Sequence, residues 1–386
     1  MTRHLSCKYI ENSFVLYILL FLACLNFQKS GSLFFLLFCL YALVITKPAK
    51  WSINHKFYLT LSIGAFIASL FFYTFTEVLK STLYFLSFYV TCRLYKTAID
   101  KDMLIKRLVF TIATGCWTYL LLIYYLNFID IGHVAGQRTL YEFWTHEYIA
   151  VTLTGLLSCI PIAYSFYCFF YTKNSILKLY GLFLILVPAL LNMGTATRTP
   201  FLLTFIVYFV MFYEYLRNRT IKNRYRVFGI VVIIVLCILY KFIPLLMNSA
   251  IAQRFESEGV DSSRLDITLL FIENMVDYPL GGQFISNKVG FLAHIILMEG
   301  YDFYGFLFLF ALVFIFFFMV KRMIYLHNLK NKQPVMNIFL SMYIVVIIQL
   351  MLEPAIGGYP ILIWSLFIID GLAFSYLTDY KNVNII

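Results

Sequence analysis

The chain has 386 residues, of which 62% are hydrophobic and 13% charged, with a mean hydropathy of +0.84. Soluble domains carry about 25% charged residues, so a soluble globular fold is excluded, and the lack of short alternating segments excludes an outer-membrane barrel. The net charge of +11 does not mark a nucleic-acid partner, because the basic residues stand in short clusters between apolar runs, where they orient a membrane protein.

Apolar runs long enough to cross a hydrocarbon core as helices recur along the chain. They predict an all-α polytopic membrane protein of about twelve transmembrane helices, at 13–28, 31–46, 57–75, 78–94, 107–129, 147–171, 176–194, 199–216, 227–247, 303–320, 335–353 and 359–378. The first run lacks a small-residue cleavage site and reads as a span, not a signal peptide. No linker or repeat divides the chain, so residues 1–386 read as a single integral membrane domain. The eight cysteines are scattered without metal-ligand spacing. They read as apolar fillers, and neither a metal nor another cofactor is expected.

Lysine and arginine counts set the orientation. With the N-terminus cytoplasmic, 22 of the 30 basic residues fall on the cytoplasmic side, in clusters such as Arg93–Arg107, Arg217–Arg226 and Lys321–Lys332. The even number of spans returns the C-terminus to the same side. Residues 248–302 form one large extracytoplasmic loop. Its stretch 265–275 has helical apolar spacing, and a second apolar segment, 289–298, is too short to span. Both read as short helices lying at the interface or re-entering the membrane.

The basic residues outside need another reason to exist. Arg198 lies in the turn Gly194-Thr-Ala-Thr-Arg-Thr-Pro200, and Arg138 in the loop 132–146 beside Tyr141, Phe143 and Trp144. Arg254 and Arg264 lie in the large loop. Each could bind lipid headgroups or pair with a loop carboxylate such as Glu142 or Asp261. Several arginines at one face would equally make an anion site, because each guanidinium fork holds phosphate oxygens in pairs. His294 stands just before a span, near Glu299 and Asp302. It reads either as structural or as a proton acceptor from a sugar hydroxyl. Glu353 and Asp370 are ionisable at membrane depth and are functional suspects on that ground. For Asp370 a hydrogen bond to a neighbouring helix is the stronger reading.

Three segments resemble, in order, the O-antigen polymerase and O-antigen ligase superfamily of bacterial polysaccharide assembly. The first is Gln137-Arg138 through Phe143, Glu147 and Ala150. The second is Gly194-Thr-Ala-Thr-Arg198-Thr. The third is Arg264…Glu273-Asn-Met-Val-Asp-Tyr-Pro-Leu-Gly-Gly282…His294…Glu299-Gly300…Gly305, similar to the family's long loop. The chain departs from the family in having Ile295 after the loop histidine and no Asn-Pro-Asn element in the first loop.

The resemblance implies a membrane glycosyltransferase in the bacterial cytoplasmic (inner) membrane, working at its outer face without a metal. The donor would be a glycan on undecaprenyl pyrophosphate. Arg138, Arg198 and Arg264 would hold the pyrophosphate, and His294, Glu299 or Glu147 would position or deprotonate the acceptor hydroxyl. Undecaprenyl-pyrophosphate-linked oligosaccharides, membrane lipids, a chain-length regulator and a flippase are the partners implied. A polymerase extending a lipid-linked repeat unit is preferred over a ligase acting on lipid A-core, because polymerases diverge with the repeat they recognise. A transporter for lipid-linked saccharide is the rival of another class. It predicts charges deep within many spans or two related halves, whereas the unusual charges here stand at one face.

Overall fold

The computed structural model describes residues 10–48, 50–73, 75–133, 139–195, 199–218, 225, 228–229, 232–233, 264–290, 295–329, 333–351, 356 and 360–384. Along the chain run α1 (Phe14–Cys24), α2 (Gly31–Ile45), α3 (Ile53–Phe72), α4 (Phe75–Thr97) and α5 (Lys101–Tyr124). A π-helical turn, Tyr125–Asp130, continues α5 and leads to the strands β1 (Thr139–Tyr141) and β2 (Tyr148–Ala150). Then follow α6 (Val151–Tyr171), α7 (Ser175–Gly194), α8 (Thr199–Asn218), α9 (Arg264–Asn274), α10 (Phe284–Val289), α11 (Ile296–Asn328), α12 (Pro334–Leu350) and α13 (Pro360–Asn384).

The protein is thus a membrane-embedded, all-α chain. Among the described residues, six helices are long and apolar enough to cross a membrane: α3, α5 with its π turn, α6, α7, α11 and α13. Shorter apolar helices occur in α1, α2 and α12, and the expected span 227–247 falls almost wholly outside the described residues.

Two sequence expectations change in detail. The run expected to span at 13–28 is α-helical only over α1, because Asn26, Gln28 and Lys29 all take left-handed backbone angles. Asn26 Oδ1 then accepts from Gly31 N at 3.2 Å, turning the chain into α2. The single short helix expected over 289–298 is divided instead. Gly290, at φ 78°, closes α10, and α11 begins at Ile296.

The chain forms two compact units. One comprises residues 1–119, 264–324 and 350–386, the other 120–263 and 325–349. In the first, α13 is the central helix, nearly every residue from Ile361 to Ala373 being buried, and it packs on α4, which meets α2 and α3. Trp364 stacks on Phe35 at 4.9 Å. Asp370, fully buried, accepts from Arg322 Nε at 2.9 Å and Tyr58 Oη at 2.9 Å, while Arg322 Nη1 donates to Asn54 Oδ1 at 3.2 Å. This bidentate pair gives the membrane-depth carboxylate a partner on a neighbouring helix, and it removes Arg322 from the set of free orienting charges. Arg93 likewise donates to the carbonyls of Leu43, Thr46 and Lys47, satisfying the last carbonyls of α2.

In the second unit α6 is central. Its residues from Leu153 to Cys168 are buried against α7 and α8. Asn192 of α7 donates to Ser158 Oγ at 2.9 Å, a polar tie between two apolar helices. Glu214 of α8 is fully buried and lies 3.0 Å from Arg217 Nη2 and 2.8 Å from His327 Nδ1.

Candidate functional site

Within the second unit, the segments flanking two of the expected arginines share one aromatic cluster. The π-helical turn after α5 places Asn127 where a regular turn would not. Its side chain donates to Ile123 O at 2.8 Å and to Tyr141 O at 2.9 Å, and accepts from Tyr141 N at 2.7 Å. The hairpin β1–β2, in register Leu140 against Ile149, is thereby tied to the end of the helix. Its loop closes on Glu142, which is buried and whose Oε2 accepts from Trp144 N, Thr145 N and Thr145 Oγ1 at 2.7, 2.8 and 3.1 Å. That carboxylate serves the turn. Glu147, at the far end of the loop, is exposed and accepts at its backbone carbonyl from Glu142 N at 2.8 Å. Tyr141 and Tyr148 lie side by side with ring centres 4.7 Å apart and hydroxyls 2.8 Å apart. The bond to Tyr148 holds the Tyr141 hydroxyl above its ordinary pKa.

Phe128, in the same π turn, is the second anchor. Its ring stacks on Tyr124 at 5.5 Å and meets His133 edge-on at 6.4 Å, and His133 lies 5.7 Å from Tyr141. Gly194, the last residue of α7, sits directly against Phe128: a methyl group there would come within 2.6 Å of Phe128 Cζ. So the end of α7, four residues before Arg198, meets Phe128 directly, and the hairpin that begins one residue after Arg138 reaches it through His133.

The described part of the large loop, from residue 264 onward, is organised separately, within the first unit. The apolar face of α9 buries Ile267 and Phe271 against Ile285 and Tyr301, while Leu269, Leu270 and Ile272 stay exposed, as suits a helix lying in an interface. The start of α11 is broken at Gly305, with φ 77° and ψ −170°. The break frees the carbonyl of Asp302 and the amide of Phe306, which a continuous helix would join to each other. The turn Pro279–Gly282 and the residue after it take up both: Phe306 N donates to Pro279 O at 3.0 Å, and Gln283 N donates to Asp302 O at 2.8 Å. Gly282 N adds a bond to Phe303 O at 3.2 Å. Backbone groups freed near a membrane must find such partners. Only glycine fits at 305, because that backbone region is nearly closed to other residues and a Cβ would lie 2.4 Å from Pro279 O. Tyr301 Oη completes the lock by donating to the carbonyls of Met275 and Tyr278.

Of the expected catalytic groups, Glu299 is buried in α11, and its Oε2 accepts from Ile356 N at 2.9 Å. It fixes the segment between α12 and α13. Glu147 is the exposed carboxylate of the hairpin loop. His294 lies outside the described residues, between the end of α10 and the start of α11. Of the expected anion ligands, Arg138 and Arg198 lie outside the described residues, and Arg264 opens α9, with its side chain outside the description. Sequence reasoning missed Asn127 and Glu214; it singled out Asp370 as bonded to a neighbouring helix, without naming Arg322 as the partner. Glu214 carried a usable signal, since it is an acid inside an apolar helix. Asn127 carried none, because nothing in its neighbours distinguishes a π turn from an ordinary one.

No protein-family model matches the sequence, and no curated protein matches it.

Proposed function

We propose that the protein is a membrane glycosyltransferase that polymerises a surface polysaccharide, O-antigen in type, moving the growing glycan from undecaprenyl pyrophosphate to a lipid-linked repeat unit. The observation that carries this reading is the gathering of the segments beside Arg138 and Arg198 around Phe128, which supports a shared anion site from two turns far apart in sequence. The motif-by-motif likeness to the polymerase and ligase superfamily supports the substrate class. On this reading both termini are cytoplasmic, the active face is outward across the inner membrane, and a flippase and a chain-length regulator are working partners.

In the reaction, the acceptor hydroxyl oxygen forms a bond to the anomeric carbon of the donor sugar as the bond from that carbon to pyrophosphate breaks. The leaving pyrophosphate takes the bonding electron pair, and Arg138, Arg198 and Arg264 offset its developing charge. The hydroxyl proton passes to His294 or to the exposed carboxylate of Glu147. Glu299 acts at one remove, as a positioning residue that holds Ile356. Tyr141 and Tyr148, three and ten residues after Arg138 in sequence, present paired aromatic rings on which a sugar ring can pack.

Complementation of a polymerase-null strain with Arg138→Ala, Arg198→Ala and His294→Ala tests this directly. The expected outcome is loss of long-chain polysaccharide, with one repeat unit still on lipid A-core. Unchanged ladders in all three strains would sink the site. Lipid-linked polymer accumulating without surface antigen would identify a ligase, and accumulation of repeat units at the cytoplasmic face would identify a transporter.

A further inference from the structure

The connection from α2 to α3, in the first unit, is pinned at both ends and in the middle. Lys47 N donates to Thr97 Oγ1 of α4 at 3.2 Å, and Arg93 Nε donates to Lys47 O at 3.0 Å. At the other end Ser52, the residue before α3, donates its amide to His55 Nδ1 at 3.1 Å within a capping box. Between these points Trp51 stacks on Phe85 of α4 at 5.5 Å and lies 5.9 Å from Tyr89. The Arg93 guanidinium lies over the Tyr89 ring, 5.6 Å from its centre. One helix end therefore fixes Lys47 and Trp51 together.

What this connection presents is chemically mixed. Trp51 stays 55% exposed in spite of its stacking, and Ile53 is 59% exposed. Lys47, Lys50, Lys56 and, next to Thr97, Lys96 are exposed too, and none of the four is in an ion pair among the described residues. The acid nearest to them in sequence, Asp100, accepts from Met103 N at 2.9 Å and caps the start of α5. Because α3 is long and apolar enough to cross a membrane, its first residues stand at a membrane boundary. A charge that only orients a span needs neither a fixed backbone nor an aromatic neighbour. Uncompensated lysines around an exposed tryptophan at that depth suit a phosphate with an apolar body behind it, since tryptophan rests at headgroup level and lysines draw anionic lipid.

We infer that Trp51, with Lys47, Lys50, Lys56 and Lys96, forms a docking surface for the headgroup of an anionic phospholipid. The phosphate lies among the ammonium groups, and the Trp51 ring packs beside the first acyl carbons. The inference is independent of the glycosyl-transfer reading.

The test uses the full chain in phosphatidylcholine nanodiscs containing phosphatidylglycerol with a photoreactive diazirine near the top of one acyl chain. Labelling is expected on the peptide that contains Trp51 and Ile53. Unlabelled phosphatidylglycerol should compete at least about tenfold better than unlabelled phosphatidylcholine, as two or more cations of about fivefold each require. Lys47→Gln with Lys50→Gln and Lys56→Gln is expected to erase that preference. Lys173→Gln with Lys178→Gln removes two exposed lysines at the α6–α7 connection, in the second unit, and is expected to keep it. No labelling of the Trp51 peptide, equal competition by the two lipids, or a preference that survives the triple variant would overturn the inference. Equal loss in both variants would overturn it as well, since that marks general attraction of lipid to charge. The first two readings need no variant, so a folding failure of the triple variant leaves the test intact.

Discussion

At the scale of single residues, the side chains that matter most are those that give a buried polar group its partner. Asp370 is the clearest. Its carboxylate is fully buried and carries Arg322 and Tyr58, so Asp370→Leu would leave a guanidinium in apolar surroundings with no counter-charge. We expect that variant to lose about 3–5 kcal/mol of unfolding free energy, and the double variant Asp370→Leu, Arg322→Met to regain most of it, because a buried ion pair adds little beyond an apolar pair of its size. Denaturation in mixed micelles distinguishes the two. Asn127 acts on a smaller scale. Asn127→Ala removes the acceptor of Tyr141 N and two donors, and should speed hydrogen exchange at that amide about ten- to a hundredfold while leaving α6 protected. An unchanged rate at Tyr141 would mean that strand pairing alone holds the hairpin.

At the scale of elements, the loop before α11 and the break inside it are one device. The Pro279–Gly282 turn lies where it does because Gly305 frees the backbone groups that it and Gln283 bind. Gly305→Ala imposes backbone strain of about 1–3 kcal/mol and drives a methyl into Pro279 O. It should open residues 279–290 to protease. Gly290→Ala is the control: Gly290 also has a positive φ, but a methyl there meets nothing within 4 Å, so its cost is backbone strain alone, about 1 kcal/mol. Equal protease sensitivity in both variants would refute the docking role. The helix α9 was legible from its apolar spacing, since amphipathicity is a local property. The break at Gly305 was not, because a lone glycine in an apolar run has many uses and only the docked turn singles one out.

At the scale of the whole molecule, composition fixed the class, and the order of apolar runs fixed most helices to within a few residues. The short α1 departs from its expected span because left-handed backbone angles at Asn26, Gln28 and Lys29, with Asn26 Oδ1 accepting from Gly31 N, turn the chain where hydropathy continues. Basic residues counted by type hide what single ones do. Arg93 and Arg322 count toward orientation by type, yet each is spent on a partner that lies 46 or more residues away. Long-range pairing of this kind leaves no trace in a local reading. The sequence therefore singled out Arg138, Arg198 and Arg264 and left open which side chains assemble the neighbouring turns.

The central helix of the first unit is made after the helices that rest on it. Phe35, Tyr58 and Arg322 all pack on α13, which follows α2, α3 and α11 in the chain. Until then Arg322 waits in the bilayer without its counter-ion, and the N-terminal helices wait without their keystone. Packing of the first unit accordingly waits on α13, and an insertase or chaperone that shelters a charge awaiting its partner should be found on nascent chains that stop short of residue 360.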